Sequence, residues 1–348
     1  MAGRPCGLTR APKLPYLAAM KLRATLFLAP LFLLACGGGK AAEPPPVAPV
    51  VAPQPEQDDL GDTEEADKPE APTAEEPKAP KPAVRWAEGL STPESVLIDG
   101  DRYLVSNIDG KPLDADGKGY ISALSPDGKV IKDKWIVSGT NKVKLDAPKG
   151  MGISKGVLYV SDISVVRKFN AKSGMPLGDI PIKGATFLND IAVGADGRVY
   201  VSDTGMKQGE KDFEPSGTDG VWQIDATGKV KQLAKGDLGH PNGLLSTAKG
   251  LLVVTFGSNE LYRLDDKGGK ADVTGLPAGG LDGIAAMGDS LLISSWKASA
   301  VFKGKLGDKF EVAVAGLKAP ADITYDAKLG RVLVPRFMEN AVEAYDLK

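Results

Sequence analysis

From Thr92 onward the chain repeats one pattern of apolar and polar positions. Six phrases align: "TPESVLIDGDRYLVSN" from Thr92, "APKGMGISKGVLYVSD" from Ala147, "FLNDIAVGADGRVYVSD" from Phe187, "HPNGLLSTAKGLLVVTF" from His240, "GLDGIAAMGDSLLISSW" from Gly280 and "APADITYDAKLGRVLVP" from Ala319. From Pro93 to Pro320 the chain advances 227 residues in five steps. The period, about 45 residues, falls in the range of four-stranded propeller blades.

The repeat that begins at His240 reads as four strands. "GLLST" is the first. "GLLVVTF" is a nearly continuous apolar run, suited to burial on both faces. "ELYRLD" alternates, and "ADVTGL" closes the unit. Lys-Gly, Gly-Ser-Asn and Asp-Lys-Gly-Gly separate them, residues that tolerate turn conformations. Asp114 to Gly119, "DADGKG", is also read as a turn, because it lacks the downstream bidentate Glu of a calcium loop. A single four-stranded unit cannot bury both of its faces, whereas six arranged radially can, with only short edges exposed. The sixth unit stops at "VEAYDL", its third strand, and "AVRWAEG" (83–89) is expected to supply its fourth. The predicted fold is all-β: a six-bladed β-propeller over residues 82–348, closed by an N-terminal strand that completes the last blade.

Upstream the pattern changes twice. Residues 36–81 are rich in Pro, Ala and Glu without periodicity, and read as a disordered tether. If extended at ~3.1 Å per residue it would reach on the order of 100 Å. Residues 1–35 read as an address. Met20 is the expected start, Lys21 and Arg23 supply the cations, and an apolar stretch from Leu26 to Ala35 is too short to span a bilayer. It ends in Leu33-Leu34-Ala35-Cys36-Gly37, which resembles a bacterial lipobox, with cleavage before Cys36 and lipid on its thiol. Cys6 lies upstream of Met20, so Cys36 is the one cysteine of the mature chain, and no disulfide framework is expected. Several acyl chains together anchor a protein stably. The expected location is the cell envelope, with the propeller outside the cytoplasm. Gly37 in place of an Asp points to the outer membrane. A formal net charge of -2 gives no basic excess for nucleic acid.

Candidate chemistry sits where each innermost strand begins, near one mouth of the central channel. Through the six repeats that position reads Glu94, Lys149, Asn189, Asn242, Asp282 and Ala321. Two carboxylates and two amide carbonyls converging on one point form a hard-oxygen site suited to Ca²⁺ or a similar divalent ion. Lys149 complicates it. The ammonium could pair with Glu94 or Asp282 in place of a metal, bind a substrate carboxylate, or carry a proton. Asn and Asp at strand starts also cap turns. Asp190 and Asp322 fall one position later, so strand alternation should turn them from the axis. His240 is expected at an exposed loop tip, and Trp135, Trp222 and Trp296 are expected to pack blades.

The repeats resemble the senescence marker protein/regucalcin–gluconolactonase family, with paraoxonases more distant. The resemblance rests on Glu94 in "PES", Asn189 in "LND", Asn242 in "PNG" and Asp282 in "LDG", in order. It implies that these four residues bind a metal, and that the metal assists hydrolysis of a lactone or ester, with Asp282 also handling the attacking water. Sugar-lactone members carry an Arg two residues before the Asn of Asn-Asp; here Phe187 stands there, implying a more apolar substrate. Three functions follow as expectations: a lactonase-type hydrolase, a non-catalytic binding propeller for an envelope protein or small ligand, and a scaffold in which an ion only joins the blades. A monomeric propeller is expected in each.

Overall fold

The computed structural model describes residues 78–347. The signal segment, Cys36 and the tether up to residue 77 lie outside the described residues. Six four-stranded antiparallel sheets follow one another around an axis. Their innermost strands are Pro93–Asp99, Pro148–Ser154, Leu188–Val193, Pro241–Thr247, Leu281–Met287 and Thr324–Asp326. The last is short, and Pro320 and Asp322 extend it only as isolated bridges to Arg336 and Ser95.

The ring closes as the sequence predicts. Val84–Trp86 pairs with Ala341–Asp346, joining Val84 to Ala344 and Trp86 to Val342. Trp86 is buried, donates its indole N–H to the Ser125 carbonyl at 3.0 Å and meets Tyr103 edge-on at 5.8 Å. Apolar side chains gather in six clusters, each between two neighbouring blades. The cluster around Trp86, Val96, Leu333 and Val342 joins the last blade to the first. Continuous apolar second strands are thus the faces that blades bury against each other.

The axial residues are not in regular strand. Pairing of the inner strands is irregular between Pro93 and Ser95, Pro148 and Met151, Leu188 and Ile191, Pro241 and Leu244, and Leu281 and Ile284. Each irregularity falls on the axial residue, and in all but the first blade on its successor as well. Such bulges leave backbone groups unpaired and re-aim side chains. Serines of the second strands take up the loose groups. Ser202 Oγ accepts from the Asp190 N–H at 2.9 Å and donates to the Asn242 carbonyl of the next blade at 2.7 Å. Ser294 does the same between the Gly283 N–H and the Ala321 carbonyl, both at 2.8 Å. Ser161 reaches the Asn189 carbonyl likewise. The repeated Val-Ser and Ile-Ser of the sequence therefore tie three axial residues, Asn189, Asn242 and Ala321, to the neighbouring blade.

The glycines of "PNG" and "LDG" lie within these inner strands and make no turn there. A Cβ on Gly243 would sit 2.3 Å from the Asp282 carbonyl oxygen, and one on Gly283 would sit 2.3 Å from the Ile323 nitrogen. They are small because adjacent inner strands approach closely.

Candidate functional site at the channel mouth

Glu94, Lys149, Asn189, Asn242 and Asp282 come from five different blades and line one cavity of about 140 Å³. All five are buried. Phe187 lines the same cavity, as do Phe213, Phe256, Trp296 and Phe337. Ala321, the sixth axial residue, is buried without lining it. The floor is polar and the walls are apolar. A short hairpin, Met206–Gln208 with Phe213–Pro215, is inserted into the third blade and adds Met206 and Phe213 to the wall. Phe213 meets Phe187 edge-on at 5.8 Å.

Hydrogen bonding decides what the floor presents. Trp296 Nε1 donates to Asp282 Oδ2 at 2.7 Å, while the buried Asp282 Oδ1 has no partner. Glu94 Oε2 is likewise buried and unpartnered. Thr204 Oγ1 donates its one proton to the Pro241 carbonyl at 3.0 Å, so it must accept from Asn189 Nδ2, also at 3.0 Å. The Asn189 amide is thereby oriented, with Oδ1 left as an acceptor. Carboxylate and amide oxygens without protein donors call for a positively charged or donor-bearing occupant.

Lys149 does not supply it. Its Nζ donates to the Pro112 and Ala147 carbonyls at 2.8 and 3.0 Å and lies 4.8 Å from the centroid of the Phe187 ring. It forms no ion pair with Glu94 or Asp282, so direct pairing, one of the three roles open to the ammonium, is not the arrangement seen. Burial lowers the Lys149 ammonium to about 8, although the Glu94 charge pulls it back upward. Burial raises the Glu94 carboxyl well above the usual range, and the Asp282 and Asp322 charges add to this. Burial likewise pushes Asp282 up to about 7 against the Trp296 hydrogen bond.

Two expectations need correction. Trp296 is not only a packing residue: it walls the cavity and holds Asp282. Asp190 and Asp322 are not turned out of the channel, because the bulges break the alternation. Both border a second axial cavity of about 320 Å³ lined by inner-strand residues of all six blades. There Asp190 accepts from the Ile191 and Leu244 N–H groups, both at 2.6 Å, and Asp322 accepts from Ser95 Oγ at 2.5 Å. Burial raises Asp190 to about 6. His240 is half-buried, with φ at 59° and Nδ1 at 2.9 Å from the Thr204 carbonyl. Thr204 and Trp296 are cavity residues whose bonds to Asn189 and Asp282 sequence reasoning missed. Nothing in a lone Thr or Trp marks it as the partner of a residue 15 or 14 positions away.

The floor's oxygens fit a hard cation in kind. Among the described residues no group of three or more His, Cys, Asp and Glu side chains is placed to hold a metal ion. Two carboxylates and the two amides would have to serve together.

No family model matches the chain, and no curated protein sequence matches it. Solved structures do. Virginiamycin B lyase from Staphylococcus aureus, in a catalytically inactive form with quinupristin, superposes with a TM-score of 0.52 at 13% identity, over 75% of this chain and 97% of its own. A streptogramin B lyase gives 0.51 at 14% identity, over 75% and 95%. A gluconolactonase from Xanthomonas campestris gives 0.51 at 15% identity, over 79% and 99%. At such identities the likeness is one of fold, and the chain is a six-bladed β-propeller similar in architecture to gluconolactonases and virginiamycin B lyase.

Proposed function

We propose that this protein is a lipid-anchored envelope hydrolase whose mouth cavity opens a small, apolar lactone or ester with the help of a bound divalent cation, Ca²⁺ first. The observation that carries the reading is the pair of buried, unpartnered carboxylate oxygens, Glu94 Oε2 and Asp282 Oδ1, at the floor of an aromatic-walled cavity.

Glu94, Asn189, Asn242 and Asp282 would hold the cation. When bound, it would polarise the substrate carbonyl and stabilise the developing oxyanion. Asp282 is also the residue suited to orient and deprotonate water. Its side chain lines the cavity, and the Trp296 N–H occupies Oδ2 and leaves Oδ1 without a protein partner. Phe187 and its neighbours would hold the substrate's apolar part and keep bulk water out. The cavity is below the about 300–1,000 Å³ of drug-sized sites, so the substrate is small. Cys36 would carry the anchor, and the tether would hold the propeller away from the membrane.

A second reading is a binding propeller without catalysis, for a small ligand or an envelope protein. Lys149 favours it, because an ammonium close to the floor opposes a dication at low dielectric. Metal content and Ca²⁺ affinity of the purified protein, beside an Asn242→Ala/Asp282→Ala variant, test the two. Stoichiometric binding lost in the variant, with turnover in a lactone and ester screen, supports the hydrolase. Binding without turnover leaves an ion that only joins the blades. No binding retires the metal.

A further inference from the structure

The floor and walls of the mouth cavity make a combination that hydrolysis of a neutral lactone does not require. Glu94 and Asp282, each with a buried carboxylate oxygen that has no partner, line this cavity together with five aromatic rings. Phe256 and Trp296 meet at 5.7 Å, Trp296 and Phe337 at 5.2 Å, and Phe187 and Phe213 at 5.8 Å. We propose that this cavity is a receptor for a small organic ammonium ion, which binds the oxygens a metal would use and so competes with it.

Charge balance points the same way. Glu94 and Asp282, ionised, bring two negative charges, and Lys149 brings one positive. Among the groups that line this cavity one monovalent cation then restores neutrality; Asp190 and Asp322, whose charges also reach Glu94, border the second axial cavity. A hydrated alkali ion would also match the charge, but it makes no use of apolar walls. An alkylammonium uses both. Its positive alkyl groups are attracted to ring faces, and its charge to the carboxylates. The molecule already holds one cation in this manner: the ammonium of the buried Lys149, itself a lining residue of the cavity, sits near two carbonyl oxygens and the face of Phe187. The cavity's volume, about 140 Å³, suits an ion of this size.

The proposal does not depend on the metal. It is tested by calorimetric titration of the purified protein with choline and with 3,3-dimethylbutan-1-ol, its uncharged isostere, at fixed NaCl. Choline is expected to bind at least about tenfold tighter than the alcohol. CaCl2 is expected to raise its apparent Kd in proportion to calcium bound. Glu94→Gln/Asp282→Asn is expected to abolish the preference for the charged probe. Phe337→Leu, a change in a half-buried wall, is expected to weaken choline about fivefold and the alcohol less. Equal affinity for both probes would make the cavity merely apolar and overturn the inference. So would the absence of binding by either probe, a preference that survives loss of both carboxylates, or calcium that binds without displacing choline. Choline binding in a protein that takes up no calcium removes the metal reading and leaves this one standing. Calcium binding with no preference for choline does the reverse.

Discussion

The indole N–H of Trp296 donates to Asp282 Oδ2 at 2.7 Å and leaves Oδ1 as a buried acceptor with no partner. One side chain therefore both walls the cavity and fixes which carboxylate oxygen is left without a partner. Hydrogen bonds to charged groups are worth about 1.5–3 kcal/mol. Trp296→Phe keeps the ring and removes the donor. It is expected to weaken cation binding about 10–100-fold, the range for partners that orient a ligand, while the melting temperature falls by only a few degrees. Unchanged affinity in a folded variant would mean that Asp282 is held by packing alone.

Thr204 orients Asn189 by the same logic, and a conservative pair separates orientation from bulk. Thr204→Ser keeps the hydroxyl and is expected to retain cation affinity. Thr204→Val keeps the shape, frees the amide to flip, and is expected to lose about tenfold. Equal loss in both variants would assign the effect to packing.

Lys149 opposes a dication without touching the carboxylates. Lys149→Met removes the charge at similar volume and is expected to tighten Ca²⁺ binding about tenfold or more. It also leaves the Pro112 and Ala147 carbonyls without their donor, so stability should fall by about 1–3 kcal/mol. Ca²⁺ titration and thermal melting of the same variant read the two effects in opposite directions. Weaker Ca²⁺ binding in a folded variant would show that the ammonium supports the site.

Stability should depend on pH in an unusual direction. Asp190 is raised to about 6 and Asp282 to about 7, and Glu94 and Asp322 are raised as well, in each case chiefly by burial. A carboxyl that binds its proton more tightly folded than unfolded stabilises the fold fully below the ordinary carboxylate range, near about 4. That contribution is lost as pH rises through 6 and 7. The cation-free protein should therefore melt several degrees lower at pH 8 than at pH 5. A saturating cation should narrow the gap, because it partners the ionised oxygens. A melting temperature that climbs steadily over this range would contradict burial as the dominant influence on these carboxyls.

The propeller closes through a three-residue strand, Val84–Trp86, and its one large buried side chain is Trp86. Trp86→Ala should cost about 3–5 kcal/mol. It should also loosen the edge of Ala341–Asp346 enough to promote association, read by size-exclusion chromatography alongside melting. A variant that stays monomeric with an unchanged melting temperature would place the closure elsewhere.

Much of this was legible in the chain alone. Local pattern fixes strands and turns, because an apolar second strand and a Gly-marked turn recur at one spacing. The unfinished sixth repeat required a strand from residues 83–89. Periodicity also identified Glu94, Lys149, Asn189, Asn242 and Asp282 as one set, since equivalent positions in radial repeats must converge on the axis. Only the tertiary structure decided what those positions present. Whether Lys149 pairs with Glu94 or turns to two carbonyls depends on the Pro112 loop, 37 residues away. Whether Asp190 leaves the channel depends on bulges bridged by serines of neighbouring strands, which a strict two-residue period does not encode. The partners of Asp282 and Asn189 come from loops and strands whose placement follows from packing six sheets together. Sequence sets the period because it is local; the donors and acceptors around an axis are set by contacts between blades, which no single repeat contains.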